Sequence, residues 1–346
     1  MHGIIALRRW SIRFALAVGA FCAAAAVHAG PTFSRMVVFG DSLSDTGNTR
    51  NVVGANSGLI ANLAGYGNNG RFSNGVLWHE TMAPLIGESV ATASRVAGPN
   101  NYNYAYGGAR VDNLGGASTG VLTQYANYTA RVGSAGADAN ALYAIWAGGN
   151  DARDLVGTAN PMTGITSSIG ALQSVFTGLI AQGATTFLVP NLPDLGKIPE
   201  NRSTPNQASA SNVSALWNAA LLGMLLDISD QASFYYLDVF STFNNVLDNP
   251  GNFGFTNTTG QCRSLGFFGL IENSCANANR WVFWDSIHPT TAAHAVIGRA
   301  AANLLNNGSP LLRVPEPSAL ALVVLALLLM RLVSRRNPKA QISIAA

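Results

Sequence analysis

The fold is decided by one stretch of the sequence, VVFGDSLSDTGN at residues 37–48. Its apolar start, with β-branched valines at the centre, predicts a buried strand over residues 35–39. Gly40 then permits a tight exit from the strand, and the sequence turns polar. Because open α/β sheets bind ligands at the carboxyl ends of their strands, Ser42 lies where a nucleophile would be presented.

A serine in this place has a simpler explanation, because Ser42, Ser44 or Asp45 could cap the next helix. Three further segments favour a catalytic role for Ser42 over a helix cap. They are NYAYGG at residues 103–108, GGND at residues 148–151 after an apolar run, and DSIHP at residues 285–289. In this order and spacing, the four blocks resemble those of the GDSL, or SGNH, family of serine ester hydrolases, and the resemblance covers about residues 36–305.

The resemblance implies a three-layer α/β/α fold of flavodoxin type with a central parallel sheet, and ester cleavage without a metal or organic cofactor. It assigns Ser42 as the nucleophile, His288 as the base and Asp285 as the group that orients the imidazole. It assigns the oxyanion hole to the backbone N–H groups of Ser42 and Gly108 and to the side-chain amide of Asn150. Taken singly, Asp285 and Asn150 are more simply helix caps, and Gly108 is more simply part of a turn.

Of five histidines in the sequence, two lie in an N-terminal segment that we expect to be removed. His79 follows GRFSNGVLW, a segment that also resembles the family, where it is a structural element beside the site and not a base. His294 lies in a helical pattern over residues 290–305 and is predicted to be a helix-surface or packing histidine. His288 is therefore the best candidate base, although a single histidine in this position is more simply a surface residue.

The two ends of the sequence predict export and sorting. Arginines precede an apolar run at residues 14–27, so residues 1–29 are expected to be a signal peptide. Residues 314–346 contain VPEPS, an apolar segment at residues 319–330 and a basic end, and they resemble the PEP-CTERM sorting signal of Gram-negative bacteria. The resemblance implies cleavage by an exosortase-type protease after transient membrane contact, and the alternative is a plain membrane anchor. The hydrolase domain would then be residues 30–313, exported to the periplasm, the cell surface or the extracellular matrix.

Charge and cysteine content limit the possible partners. The net charge of +3 includes seven Lys and Arg residues outside 30–317, so that region has 13 basic and 17 acidic residues and a net charge of −4. It has no basic stripe with interleaved aromatic residues, and this excludes nucleic acid as a partner. Cys22 lies in the signal segment, and the remaining pair, Cys262 and Cys275, favours a disulfide in an oxidising compartment.

Strand-like runs alternate with helical stretches, which predicts a single α/β domain. Strands are expected at residues 36–39, 142–146, 185–189 and 234–239, and helices at residues 163–181 and 208–229. Residues 52–137 are expected to form long loops with short helices. Residues 249–280 are expected to be an irregular stretch beside the site, tied by the disulfide.

The identity of the ester stays open at this point. The GDSL block most resembles the lipase, acylhydrolase and phospholipase branch of the family, which favours an acyl lipid or a short-chain ester. A second hypothesis, prompted by the sorting signal, is the deacetylation of an exopolysaccharide by a site with exposed aromatic residues, although core packing is the simpler role for most of them. The aromatic candidates are Trp78, Tyr104, Tyr106 and Trp284. A third is a non-catalytic surface or matrix protein, against which the intact site residues count.

Overall fold

The computed structural model describes residues 31–89, 102–112, 119–266 and 271–312, together with Leu327 and Met330. All four sequence blocks lie within these residues. The expected signal peptide and nearly all of the expected sorting signal lie outside them.

The centre of the fold is a parallel sheet of four strands in the order β1-β2-β3-β4. The strands are β1 (Met36–Gly40), β2 (Leu142–Trp146), β3 (Thr186–Pro190) and β4 (Ser233–Leu237). They are rich in β-branched and aromatic residues and are almost entirely buried, as expected for parallel strands that are covered on both faces. The expected strands agree with these bounds to within two residues.

Helices cover both faces of the sheet. One layer is α3 (Trp78–Leu85) and α9 (Thr291–Asn307), and the other is α4 (Val121–Val132), α6 (Pro161–Ala181) and α7 (Gln207–Asp227). Along β1, Val37 and Phe39 join the core under α4, α6 and α7. Met36 and Val38 join the core on the opposite face. The prediction of a three-layer α/β/α fold is confirmed.

Helices α6 and α7 are each 21 residues long and, by length and composition alone, apolar enough to cross a membrane. Their apolar side chains pack on the sheet instead. The ring of Phe176 in α6 lies 5.5 Å from that of Phe187 in β3 and 5.6 Å from that of Phe234 in β4. Trp217 in α7 is fully buried. Both helices are therefore core elements of the domain.

Residues 52–137 contain short helices, as expected, whereas residues 249–280 contain more regular structure than predicted. The first region holds α1 (Asn48–Val53) and α2 (Gly58–Ala64) besides α3 and the twelve-residue α4. Two more helices lie outside both regions, α5 (Gly149–Asp154) and α8 (Val239–Asp248). The second holds β5 (Asn257–Gln261), β6 (Arg263–Gly266) and β7 (Ile271–Ser274). Strand β5 pairs with β8 (Trp281–Phe283), and β6 pairs with β7. A sequence such as NTTGQ in β5 has no apolar alternation, so its pattern does not indicate a strand.

Cys262 and Cys275 form a disulfide in the structure. Cys262 immediately precedes β6 and Cys275 immediately follows β7, so the bond closes the base of this hairpin. A cross-link over a loop of this length contributes about 3 kcal/mol in the chain-entropy account. The N–H of Cys262 also donates to the carbonyl oxygen of Phe283, which fixes the hairpin to the strand that leads into the DSIHP block.

Candidate active site

The carboxyl ends of β1 and β2 bring two sequence blocks to one edge of the sheet. Gly40 at the end of β1 lies opposite Trp146 at the end of β2. Gly40 has a φ of +150°, and a Cβ atom there would lie 2.2 Å from the carbonyl oxygen of Trp146. Only glycine fits, and the sharp turn that follows presents Ser42 at this edge.

The NYAYGG block runs alongside the free edge of β1. Its Asn103 forms a parallel bridge with Val38 of β1. Gly107 and Gly108 therefore follow at the carboxyl end of the strand. The N–H of Gly107 donates to the carboxylate of Asp45 at 2.9 Å, which holds this block against the GDSL block.

The helix-cap interpretation applies to Asp45 and not to Ser42. The Asp45 carboxylate accepts hydrogen bonds from the N–H groups of Gly47, Asn48 and Thr49 at 2.6 to 3.0 Å, at the start of α1. Burial raises the pKa of Asp45 even though the hydrogen bonds lower it. With α1 capped in this way, the hydroxyl of Ser42 is available for other contacts.

Ser42, His288 and Asp285 form a continuous chain of hydrogen bonds. Nε2 of His288 lies 2.8 Å from Oγ of Ser42, and Nδ1 lies 2.8 Å from Oδ2 of Asp285. An ionised carboxylate can only accept hydrogen bonds, so Nδ1 carries the hydrogen and Nε2 keeps its lone pair toward the serine hydroxyl. This is the arrangement in which an imidazole can remove a proton from a serine.

Asp285 also shapes the loop that carries His288. Its Oδ1 accepts from the N–H groups of Ile287 at 2.9 Å and His288 at 2.8 Å. Burial would raise the pKa of Asp285, but the charge of His288 and these hydrogen bonds outweigh burial and lower the pKa. The cap of α9 is Thr290, whose hydroxyl accepts from the N–H of Ala293. The carboxylate of Asp285 therefore stays ionised beside the imidazole.

Asn150 lies in the first turn of α5, directly after β2, and its side chain does not cap the helix. Its Nδ2 donates to the carbonyl oxygen of Ala109 at 3.0 Å, and its Oδ1 accepts from Arg153 at 3.3 Å. A primary amide has two donor hydrogens, so one remains for a ligand. Among the described residues, nothing accepts a hydrogen bond from the N–H of Ser42 or Gly108. Asn150 lines the same cleft as Ser42, whereas Gly108 does not line it.

An apolar cleft opens at Ser42 and His288 and encloses about 660 Å³ of space, part of it open to solvent. Its polar residues gather near the nucleophile and include Asp41, Asn150 and Arg153. The apolar lining comes from the carboxyl ends of the four strands, from the segments that follow them, and from residues before and after His288. It consists of Leu43, Trp146, Leu192, Pro193, Leu195, Ile198, Val239, Phe243, Phe283, Ile287, Pro289 and Ile297. Such a cleft suits an apolar group attached to the reacting carbonyl.

Asp41 is a second buried carboxyl in this cleft, and the sequence analysis does not single it out. Its Oδ1 accepts from the N–H of Leu43 at 3.0 Å. Burial raises the pKa of Asp41 to about 6, while the hydrogen bond from Leu43 and the electrostatic influence of His288 and Arg153 lower it. Its position next to Ser42 in the GDSL block is the sequence signal, but the local sequence does not reveal that the side chain is buried.

The other two candidate histidines are fully buried and lie outside the hydrogen-bond chain. Nε2 of His79 lies 3.1 Å from the carbonyl oxygen of Ser44, and burial lowers the pKa of His79 to about 4. Burial also lowers the pKa of His294, in α9, to about 3. Both rings are therefore neutral at pH 7. The structure places His79 as a structural element and His294 in the packing between helices, so a surface position for His294 is wrong.

The aromatic residues expected to stack on sugars are buried. Trp78, Tyr104, Tyr106 and Trp284 are at most 7% exposed. Trp78 packs edge-on against Trp146, and Tyr104 stacks on Phe39 at a centroid distance of 5.4 Å in each case. Core packing, the simpler role given above for most of these residues, agrees with their burial, and the alternative of exposed rings that stack on sugars does not.

The hydrogen-bond chain lies at the carboxyl edge of a parallel sheet between two helical layers. Residues 36–301 match the family model for GDSL-like lipases and acylhydrolases. The chain therefore belongs to this family, and it is a hydrolase that acts on esters.

Individual proteins share parts of this sequence and fold. A protein from the trpE-trpG intergenic region of Pseudomonas putida is 30% identical over 333 residues, which cover 88% of this chain and 54% of that protein. The phosphatidylcholine-sterol acyltransferase of Aeromonas hydrophila is 26% identical over 325 residues, covering 80% of this chain and 91% of that protein. The structure of LAE5, an α/β hydrolase from the metagenome of Lake Arreo, Spain, matches with a TM-score of 0.45 and 17% identity, over 81% of this chain and 100% of LAE5. The chain thus spans about half the length of the first relative.

Proposed function

We propose that this hydrolase cleaves carboxylic esters through an acyl-enzyme on Ser42. The observation that carries the proposal is the chain of hydrogen bonds from Ser42 through His288 to Asp285 at the cleft. A serine hydroxyl is a poor nucleophile at neutral pH, and a neutral imidazole in hydrogen-bond contact is the usual means of activating it.

The reaction follows from this geometry. Oγ of Ser42 attacks the carbonyl carbon while Nε2 of His288 takes the hydroxyl proton, and Asp285 stabilises the imidazolium that forms. The tetrahedral intermediate collapses, the bond to the alcohol oxygen breaks, and the alcohol leaves with the proton from His288. A water molecule, activated by the same imidazole, then attacks the acyl-enzyme and releases the acid and Ser42.

The negative oxygen of each tetrahedral intermediate needs hydrogen-bond donors. The N–H groups of Ser42 and Gly108 and the amide of Asn150 supply them in this proposal. Two facts support the assignment: the two N–H groups donate to no described residue, and Asn150 lines the cleft beside the nucleophile. Removing one donor of this kind typically lowers kcat by about 100- to 1000-fold.

We infer that the substrate is an acyl lipid and not an acetylated polysaccharide. The apolar lining of the cleft matches an acyl chain, and the aromatic residues that would bind a sugar are buried. The similarity to a phosphatidylcholine-sterol acyltransferase supports the same choice.

An ester panel tests the proposed function. The panel contains p-nitrophenyl esters of increasing acyl length, a phospholipid and an acetylated polysaccharide, each with wild type and Ser42→Ala. We expect kcat/KM to rise as the acyl chain lengthens beyond acetyl, since each buried methylene contributes about 0.8 kcal/mol. A preference for acetylated polysaccharide would reject the lipid substrate, and activity that survives Ser42→Ala would reject the acyl-enzyme.

Export and sorting belong to the proposal as well. A signal peptide over residues 1–29, removal of residues beyond the VPEPS segment by an exosortase-type protease, and a final position in the periplasm, at the cell surface or in the matrix agree with the sequence of both ends. The disulfide between Cys262 and Cys275 supports an oxidising compartment.

A further inference from the structure

Helices α1 and α2 carry a large share of the exposed apolar side chains. Five of the twelve exposed large hydrophobic residues in the described part of the chain lie on these helices, although the helices are only six and seven residues long. We call the five the apolar patch: Val52, Val53, Leu59, Ile60 and Leu63. A cluster of this kind on a soluble domain indicates a surface that binds a partner.

The patch occupies one side of α2 and the adjoining end of α1. Leu59 and Ile60 lie four and three positions before Leu63, so the three side chains share a helix face. Ala61 and Asn62 point the other way and are buried. Ile60 and Leu63 are 61% and 68% exposed, so the outer face is apolar and open to solvent.

A basic residue lies at the margin of the patch. Residues 46–79 contain Arg50 and Arg71 and no Asp or Glu. Arg71 is paired with Glu80, and Arg50 lies in α1 beside Val52 and Val53. An apolar face with a basic residue at its margin fits the interfacial zone of a bilayer with zwitterionic or anionic headgroups.

Two aromatic rings connect the patch to the candidate active site. The hydroxyl of Tyr66 donates to the carbonyl oxygen of Ala55, between α1 and α2, and its ring packs against Phe72. The centroid of the Phe72 ring lies 5.3 Å from that of the His288 imidazole. Phe72 also covers Gly107, where an added Cβ atom would lie 2.1 Å from the ring. The helix pair is therefore linked to the base of the site through two packed aromatic rings.

The continuous described chain ends at residue 312, near the opposite edge of the sheet. The N–H of Leu311 donates to the carbonyl oxygen of Phe234, the second residue of β4. The end of the described chain thus lies at the amino ends of the strands, whereas Ser42 and α1 lie at their carboxyl ends. This arrangement favours a partner outside the chain over the chain's own tail.

We propose that the apolar patch docks on the surface of a lipid bilayer that contains the ester substrate. The proposal rests on the proposed function, because an acyl lipid is presented to an enzyme at such a surface. Docking buries the patch in the interface and brings the side of the domain where Phe72 packs on His288 close to the lipid.

The test compares three forms of the full chain. They are wild type, the double variant Ile60→Gln/Leu63→Gln, and the control variant Leu85→Gln/Met162→Gln, which changes two side chains that are 49% and 39% exposed on other helices. Flotation with vesicles of phosphatidylcholine and phosphatidylglycerol measures binding. Fatty-acid release from these vesicles and cleavage of dissolved p-nitrophenyl butyrate measure activity. The C-terminal segment is the same in all three forms, so a difference in binding among them comes from the substituted side chains.

We expect Ile60→Gln/Leu63→Gln to lower vesicle binding and vesicle hydrolysis by about tenfold or more, because two apolar side chains no longer enter the interface. Cleavage of the dissolved ester should change by less than about twofold, as for the control variant. Equal vesicle binding by wild type and the patch variant would overturn the proposal, and so would an equal loss in the control. Loss of a wild-type oligomer without loss of vesicle binding would assign the patch to a second copy instead. If wild type cleaves neither ester, the proposed function fails, while flotation still decides whether the patch docks on lipid.

Discussion

Nε2 of His288 lies 2.8 Å from Oγ of Ser42, although the two residues are 246 positions apart in the chain. Ser42 follows the tight turn at the end of β1, and His288 lies in the loop before α9. The ring of Phe72 packs on the imidazole, and the carboxylate of Asp285 holds its other nitrogen. The imidazole is therefore held on two sides, and its free nitrogen faces the serine.

Ser42→Ala should abolish nearly all ester cleavage without unfolding the protein. The hydroxyl makes one hydrogen bond, to His288, so its removal should cost about 1 kcal/mol or less. A fluorophosphonate probe should label wild type at Ser42 and leave the variant unlabelled. Activity assays, thermal melting and mapping of the labelled peptide check these outcomes.

Ser44→Ala is the matched control in the same loop. Oγ of Ser44 accepts a hydrogen bond from Nε1 of Trp78, and the serine is fully buried. The control should lose stability, since it leaves a buried N–H without its acceptor, yet keep labelling at Ser42. Labelling lost from Ser44→Ala and retained in Ser42→Ala would show that the wrong serine is assigned.

Asn150 should act on the rate of the chemical step. Asn150→Ala is expected to lower kcat by about 100- to 1000-fold with little change in KM, because its amide stabilises charge that develops only in the transition state. Asn150→Asp keeps the shape and the oxygen that accepts from Arg153 but removes both donor hydrogens, including the one bonded to Ala109, so it should be equally impaired. If Asn150→Asp keeps full activity while Asn150→Ala melts at a lower temperature, the residue has only a structural role.

The mature protein should lack both ends of the sequence. Cleavage after Ala29 and within the VPEPS region would remove the basic apolar ends and leave a single globular domain. Intact-mass measurement of the protein from its native producer checks both cuts. A mass that includes residues 319–330 would instead support a plain membrane anchor. Deletion of residues 315–346 should release active enzyme, because no proposed catalytic residue lies there.

The strands and the candidate catalytic residues could be predicted from the sequence because their signals are local. A run such as LYAIW at residues 142–146 indicates a buried strand without reference to the rest of the chain, and β2 has these bounds. Ser42, Asp285 and His288 lie in short blocks whose order carries the family resemblance. Their hydrogen-bonded arrangement agrees with those roles, which remain to be tested by substitution.

The cleft lining and the burial of single side chains could not be predicted, because they depend on contacts between segments that are far apart in the chain. Leu195 and Phe243 line the cleft together, but they follow different strands, and nothing in the local sequence connects them. Trp284 is an aromatic residue of the kind that can stack on sugars when exposed, but it is buried in the structure. The burial of Asp41 could not be predicted for the same reason, because it requires the later segments around Arg153 and His288.

Asp41 should make the protein less stable as the pH rises. The folded state keeps the Asp41 proton up to about pH 6, against an ordinary value of 3.8. Between these pH values the folded state binds more protons than the unfolded state, so stability falls as pH rises and the loss is complete above about pH 6. Asp41→Asn keeps an oxygen to accept from the N–H of Leu43 and removes the charge. The free energy of unfolding of Asp41→Asn, relative to that of wild type, should increase by about 1 to 3 kcal/mol from pH 4 to pH 7.5.

Asp285→Asn provides the opposite case in the same cleft. The pKa of Asp285 is lowered, so its ionised form stabilises the folded state above the ordinary pKa, and this contribution is lost as pH falls through the lowered value. Asp285→Asn should therefore be less stable than wild type at pH 7.5, with a difference that shrinks on acidification. Urea unfolding of the three proteins at pH 7.5, at pH 4 and at a pH below the ordinary Asp pKa of 3.8 measures both effects. If Asp41→Asn is as destabilised at pH 7.5 as Asp285→Asn, the Asp41 carboxylate is held by favourable charge, and burial does not dominate its ionisation.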